Sequence, residues 1–164
     1  MRMFTQPSLL NNKMMLKHIF LLLFTICAYL HVVAQNWQTL GNGTDFLARE
    51  LYTDTLTNRL YAIGTFLYAD DTVAVNNIAY WDGIKWNDLD SGNTECNSCN
   101  PIISICSFQG NIYIGGQFTS FHNVPNTQFI ARYNGTNWES IGDANGPVIM
   151  FFNYNNQLYL CIIK

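Results

Sequence analysis

The chain has 164 residues, of which 12% are charged and 15% are aromatic, and its formal net charge is −3. Lysine and arginine are too few to form the basic patch that marks nucleic-acid-binding proteins, so the composition argues against that class. No stretch of residues 35–164 keeps an apolar period of 3.6 residues. Short alternating runs separated by Asn-Gly and Asp-Gly instead predict an all-β protein with many tight turns.

The first 34 residues differ from the rest. Lys13 and Lys17 precede an apolar run at 19–30, and Ala34 lies shortly after it. This order is typical of a secretory signal peptide. A membrane anchor is the alternative, but the run is shorter than the roughly 20 apolar residues that a spanning helix needs. We therefore expect a signal peptide at 1–34, cleavage after Ala34, and a mature chain that is secreted or held at the cell surface without a membrane span.

Residues 35–164 keep five basic and all eleven acidic residues, which gives a net charge near −6. They begin with the tail of a repeat, and a first unit follows at about 44–92. Strands are predicted there at 46–53, 59–66, 77–81 and 84–89. A polar loop at 67–76 separates the second strand from the third, and a two-residue hairpin turn is predicted at Asp82-Gly83.

A second unit at 102–142 repeats this order. Strands are predicted at 102–108, 112–118, 129–133 and 137–141, with a loop at 119–128 and a turn at Asn134-Gly135. A third unit starts at Gly146 and stops at Lys164, and it carries Ile162 where the other two units have Gly64 and Gly116. We expect this last unit to be truncated.

The two complete units share residues that serve packing and turns. At a spacing of 52 residues, seven of the 31 positions in 60–90 and 112–142 are identical. Aromatic rings would fill the space between sheets, alanine would permit close approach, and glycine would serve turns and strand contacts. The identical pairs are Tyr61 with Tyr113, Gly64 with Gly116, Phe66 with Phe118, Ile78 with Ile130, Ala79 with Ala131, Gly83 with Gly135, and Trp86 with Trp138. A period of about 50 residues with four short strands is typical of a propeller blade.

The pattern Leu-Tyr-x-Gly-Gly-x-Phe, followed after a loop by Ile-Ala-x-Trp-Asp-Gly-x-x-Trp-x-x-Leu-Gly, resembles kelch-like β-propeller repeats of secreted bacterial proteins. Residues 112–118 and 130–142 carry it, with 60–66 and 78–89 as the second copy. The resemblance implies an incomplete β-propeller at 35–164, with about two and a half four-stranded antiparallel blades. Members of this family often end in a sorting domain for type IX secretion, and we expect this chain to be a truncated piece without it.

Cysteine is the most conspicuous candidate for local chemistry. Cys96, Cys99, Cys106 and Cys161 remain after removal of the signal peptide, and they allow three pairings. Because exported proteins meet an oxidising compartment, we expect a structural disulfide among Cys96, Cys99 and Cys106, with free thiols as the alternative. A metal or redox site is disfavoured because the Cys-x-x-Cys lies in a loop and His122 is the only histidine of the mature chain.

Two acidic pairs could serve as glycosidase carboxylates or calcium ligands. Asp70 and Asp71 lie in the first loop, and Asp88 and Asp90 lie at the end of the first unit. The second unit has Ser140 and Gly142 at the positions of Asp88 and Asp90, so solvated loops are the preferred interpretation. His122 has no sequence partner for a catalytic triad.

The sequence therefore predicts a non-catalytic binding or scaffold module for protein or glycan recognition and adhesion, without a cofactor or metal. Tyr68 and Phe121 are candidate exposed aromatics for a binding rim, because loops on rigid scaffolds carry function. The alternative is a fragment of a propeller enzyme, such as a glycoside hydrolase, with its catalytic residues on missing blades. A propeller closes with roughly four to eight blades, so we also expect self-association through open blade edges.

Overall fold

The structure, a computed structural model, describes residues 14–24, 38–89 and 101–164. The chain divides into two compact units between Gln38 and Thr39. In the first unit, residues 14–24 form helix α1, whose side chains are exposed. The rest of the predicted signal peptide lies outside the described residues. No helix within the three described ranges is long and apolar enough to cross a membrane.

The described part of the second unit is built from antiparallel strands, which confirms the all-β prediction. The strands are β1 (Leu47–Asp54), β2 (Arg59–Thr65), β3 (Tyr68–Ala69), β4 (Val73–Ala74), β5 (Ile78–Trp81), β6 (Trp86–Asn87), β7 (Ile102–Phe108), β8 (Asn111–Gly116), β9 (Ile130–Tyr133), β10 (Trp138–Glu139), β11 (Val148–Tyr154) and β12 (Gln157–Ile162). The first sheet has the order β1-β2-β5-β6, and the second has the matching order β7-β8-β9-β10. Strands β11 and β12 form a third hairpin, and β3 pairs with β4.

The first strand of each of the hairpins β1-β2, β7-β8 and β11-β12 contains a bulge at the same place. A bulge adds one unpaired residue to one strand and increases the local twist. The register shifts lie between Ala48 and Glu50 in β1, Ile102 and Ser104 in β7, and Val148 and Met150 in β11. Because the bulges coincide, equivalent positions in the three hairpins can be assigned residue by residue.

Glycine at the end of β2 and β8 is required by the backbone of the neighbouring strand. A Cβ on Gly64 would lie 2.1 Å from the carbonyl oxygen of Leu47, and one on Gly116 would lie 2.2 Å from that of Pro101. The Gly116 amide also donates to the Phe129 carbonyl at 3.1 Å, so neighbouring backbone holds this residue on both sides. The backbone cannot move away to make room for a side chain.

Ile162 takes the corresponding position in β12, opposite Val148. This strand pairs with β11 alone among the described strands, so its backbone is held on one side. The close approach occurs elsewhere in this hairpin, because a Cβ on Gly146 would lie 2.3 Å from the carbonyl oxygen of Ile163. The departure of the third unit from the glycine pattern therefore leaves the hairpin register intact.

The turn between β5 and β6 differs from the prediction. Trp81 pairs with Trp86, so the loop has four residues, 82–85, and the two-residue turn predicted at Asp82-Gly83 is wrong. The Oδ1 atom of Asp82 accepts hydrogen bonds from the amides of Ile84 and Lys85, both at 2.9 Å. These bonds fold the loop around the carboxylate and lower the pKa of Asp82.

The turn predicted at Asn134-Gly135 differs in the same way. Tyr133 pairs with Trp138, so four residues, 134–137, connect β9 to β10. The side-chain oxygen of Asn134 accepts hydrogen bonds from the backbone amides of Thr136 and Asn137, both at 2.9 Å. Gly135 has a φ of 98° and Gly83 one of 99°, and a Cβ on either would have no neighbour within 4 Å. The backbone conformation, rather than a shortage of space, therefore favours glycine at this repeated position.

The repeated alanines lie on the same side of their respective sheets and are fully buried. Ala79 pairs with Ala62 in the first sheet, and Ala131 pairs with Ile114 in the second. Both alanines are 0% exposed. Ala131 packs between the two four-stranded sheets, and Ala79 packs on the outer side of the first. A small side chain at this position leaves room for the larger apolar residues around it.

Apolar side chains fill three layers on alternating faces of the sheets. The first layer lies between the two four-stranded sheets and includes Tyr61, Ile63, Ile105 and Ile114. The second layer covers the opposite face of the first sheet and includes Ala62, Phe66, Ala79 and Trp86. The third joins the second sheet to the hairpin through Ile130, Val148 and Phe151. Strands β1, β7 and β11 contact one another in sequence, so the three hairpins are stacked in chain order.

The two repeated tryptophans are buried in different polar surroundings. The Nε1 atom of Trp86 donates to the carbonyl oxygen of Leu40 at 2.8 Å. Trp138 Nε1 is buried without a hydrogen-bond partner among the described residues. We expect Trp86→Phe to lower the free energy of unfolding by about 1 kcal/mol more than Trp138→Phe, because only Trp86→Phe removes a hydrogen bond. Chemical denaturation of the two variants, which lose the same atoms, measures this difference, and equal losses would contradict it.

Candidate functional site

The first loop, 67–76, is tied to the segment that precedes β1. Asp45 Oδ1 accepts hydrogen bonds from the amides of Leu67 and Tyr68, both at 2.9 Å. Asn42 donates its amide to Asp70 Oδ1 and its side-chain nitrogen to Asp71 Oδ2, both at 2.8 Å. The acidic pair therefore fixes the loop to the segment through hydrogen bonds to Asn42.

The two aromatic residues expected on a binding rim lie in different environments. Tyr68 is 42% exposed on β3. Phe121 is only 4% exposed, so its expected exposure is wrong. Its ring packs edge-on against Trp138 at a centroid distance of 4.6 Å, and it packs at a tilt against Phe118 at 5.2 Å. Phe121 is thus part of the core, and Tyr68 alone of this pair offers a surface ring.

His122 belongs to the same aromatic group. Its ring stacks on Trp138 with an interplanar angle of 11° and a centroid distance of 5.9 Å, and it lies 4.4 Å from the ring of Phe121. In the part of the chain that the structure describes, no group of three His, Cys, Asp or Glu residues is placed to hold a metal ion. Asp90, the partner proposed for Asp88, lies outside that part.

The predicted disulfide falls largely outside the described residues, because Cys96 and Cys99 are not among them. Cys106 and Cys161 are free thiols in the described part of the chain. Cys106 lies on β7, where burial raises its pKa to about 12 and the carboxylate of Glu50 adds to the shift. Cys161 lies on β12 and is exposed.

The two thiols should differ in reactivity. The thiolate is the reactive form, and almost none of it is present at neutral pH for a thiol with a pKa near 12. We expect iodoacetamide to modify Cys161 at least about tenfold faster than Cys106 at pH 8. Peptide mass spectrometry after timed labelling measures both rates, and guanidinium-unfolded protein, in which the rates should converge, is the control. Equal rates in the folded chain would contradict the burial of Cys106.

One open surface is the front face of the first sheet, which we define by Leu40, Ala48, Leu51, Ala62 and Trp86. These side chains, together with the backbone of 39–44, line a groove of about 330 Å³. Ala62 and Trp86 form its buried floor, whereas Leu51 is 59% exposed at its side. The groove is apolar and open to solvent, which suits an apolar side chain from a partner.

A second open surface is the back face of the third hairpin, which we define by Met150, Phe152, Tyr154 and Tyr159. All four side chains are exposed. The rings of Phe152 and Tyr159 stack with a centroid distance of 5.3 Å and an interplanar angle of 11°. Contiguous apolar surface of this kind marks interaction sites in soluble proteins.

Sequence reasoning missed both faces, although a signal for them was present. The apolar residues at 148–154 look like those of any core strand. The alignment that places Ile162 with Gly64 and Gly116 also matches Tyr159 with Tyr61 and Tyr113, but the sequence does not show whether Tyr159 is covered.

A scan of the sequence against protein-family models and a search of curated proteins found no match.

Proposed function

We propose that the chain is an exported, non-catalytic interaction module that recognises a protein partner through the apolar faces at the two ends of its stack of sheets. The proposal includes a kelch-like architecture in which the two sheets and the hairpin are consecutive blades of an incomplete β-propeller. Its N-terminal segment would be removed as a signal peptide at the secreted or cell-surface location.

The repeated geometry supports the propeller proposal. Both four-stranded sheets have the same strand order, and all three hairpins have the same bulge. The first strands of the three hairpins contact one another in chain order. Four-stranded antiparallel sheets stacked in this way are the building units of propellers.

The interaction role rests on one observation, which is that both the front face and the back face expose apolar side chains. Leu51 on one end and Phe152 on the other are both largely exposed on well-formed strands. Exposure of such side chains is unfavourable unless a partner removes them from water, at about 25 cal/mol for each Å² of apolar surface. A protein surface offers the apolar contacts that both faces require.

The test compares the full chain, produced by secretion, with a double variant, Leu51→Asp plus Phe152→Asp, as immobilised baits. Proteins bound from a cell-surface extract are identified by mass spectrometry. We expect specific partners to bind the native chain and to be lost from the variant. Identical capture by both baits would contradict the proposal.

Two further assays test the rival functions. Binding on a glycan array that is retained in the double variant, or glycoside hydrolysis by the full chain, would favour glycan recognition or an enzyme instead. Tyr68→Ala is the matched variant for glycan binding, because Tyr68 is exposed and lies outside both faces. N-terminal sequencing of the secreted product should begin at Gln35.

A further inference from the structure

We propose that the partner is a second copy of this chain, and that the back face of the third hairpin packs into the front face of the first sheet in that copy. This inference rests on the proposed interaction role and names its partner. The argument comes from two interfaces inside the chain, which show what each kind of face packs against.

Back faces are covered by the next unit wherever one is present. Tyr52 pairs with Tyr61, Cys106 with Tyr113, and Phe152 with Tyr159, so these pairs occupy one position in the three hairpins. Tyr61 is 2% exposed because the second sheet packs on it, whereas Tyr159 is 40% exposed. The back face of the hairpin is therefore the equivalent surface, and no described residue covers it.

A front face is covered by the unit that precedes it in the chain. Leu51 pairs with Ala62 and Ile105 with Ile114, so Leu51 and Ile105 are equivalent. Ile105 is 3% exposed because it packs in the layer that also contains Tyr61 of the first sheet. Leu51, at 59% exposed, has no such cover among the residues that the structure describes.

Each internal interface thus joins the back face of one unit to the front face of the next. At the first interface, Tyr61 and Ile63 pack with Ile105 and Ile114. At the second, Tyr113 and Cys106 pack against Val148 and Phe151. The open back face and the open front face are the two halves of a third interface of this kind, and a second copy supplies the missing half to each.

The chemistry of the two faces matches. The groove of about 330 Å³ on the front face has an apolar lining. The stacked rings of Phe152 and Tyr159 provide an apolar projection, and no charged residue is among the four that define the back face. Because the two halves of the interface differ, the contact is heterologous and extends head to tail into rings or open chains.

Sedimentation velocity on the full chain tests the proposal. We expect the weight-average mass to rise with concentration for the native chain. Leu51→Asp and Phe152→Asp should each shift association to at least tenfold higher concentration. Ile84→Asp is the matched control, because Ile84 is exposed in loop 82–85 and belongs to neither face, and it should behave as the native chain. Circular dichroism establishes that each variant is folded, and Tyr159→Glu replaces Phe152→Asp if that variant is not.

Mixing the two variants gives the sharper result. Leu51→Asp keeps its back face and Phe152→Asp keeps its front face, so an equal mixture should form dimers, and only dimers, at a concentration where neither variant associates alone. A native chain that stays monomeric at its highest soluble concentration would overturn the inference. Association of one variant alone, at a concentration where the native chain associates, would also overturn it, because that would require contact between identical faces. Loss of self-association together with retained capture of other proteins from the extract would refute this inference and leave the proposed interaction role standing.

Discussion

Replacing Phe121 with alanine is expected to lower the free energy of unfolding by about 3–5 kcal/mol, the usual cost of removing a buried phenylalanine ring. The ring is buried and fills the space between Phe118 and Trp138. Its removal would leave a cavity in the layer between the two four-stranded sheets, because that layer is held by strands on both sides. Denaturation followed by tryptophan fluorescence measures the loss.

Tyr68→Ala is the matched control for this prediction. Tyr68 lies in the equivalent loop of the first sheet, and its ring is substantially exposed. We expect its replacement to cost less than about 1 kcal/mol, as is usual for exposed positions. Phe121→Leu, which keeps most of the apolar volume, should fall between the two. A Phe121→Ala variant as stable as Tyr68→Ala would show that Phe121 is on the surface after all.

Gly116→Ala is expected to cost about 3 kcal/mol or more, because an added methyl group meets backbone on the neighbouring strand. A Cβ at this position would lie 2.2 Å from the carbonyl oxygen of Pro101. The hydrogen bond from the Gly116 amide to the Phe129 carbonyl keeps the strand from moving away. The variant should lose pairing at the start of β7 first. Amide hydrogen exchange detects this as faster exchange in β7 and β8, alongside a lower midpoint of chemical denaturation.

Gly110→Asn distinguishes this clash from a general effect of replacing glycine. Gly110 has a φ of 77° in the turn between β7 and β8, and a Cβ there would have no neighbour within 4 Å. Asparagine tolerates this conformation better than most residues, so we expect a loss below about 1 kcal/mol. Similar losses for the two glycine variants would contradict the steric explanation.

The repeat made the hairpins predictable from the sequence. The predicted strand boundaries were less accurate, because side-chain hydrogen bonds hold some residues in loops. The strand predicted at 84–89 is reduced to Trp86–Asn87 because Asp82 accepts the amides of Ile84 and Lys85 and holds them in the loop. A two-residue turn and a four-residue loop both fit an Asp-Gly sequence. Only the pairing of Trp81 with Trp86 distinguishes them.

The burial of Phe121 could not be deduced from loop composition. Thr127 is buried, accepts a hydrogen bond from the Phe121 amide at 2.8 Å, and donates to the Val124 carbonyl at 2.7 Å. These two bonds close the loop and turn the ring of Phe121 toward Trp138. At the spacing of 52 residues Phe121 corresponds to Ala69, which is also buried, whereas Tyr68 corresponds to Ser120, so the two aromatic residues occupy different positions of equivalent loops.

The bulge shared by β1, β7 and β11 has a consequence for changes of chain length. Elsewhere in a strand, the loss or gain of one residue would exchange the two faces of every position beyond it. At the bulge, deletion of Arg49 would leave Ala48 opposite Gly64 and Glu50 opposite Ile63, as they are now. Ile103 and Ile149 occupy the same place in the other two hairpins. Each hairpin therefore contains one site in its first strand where a single residue can be deleted and every other side chain of the strand stays on its present face of the sheet.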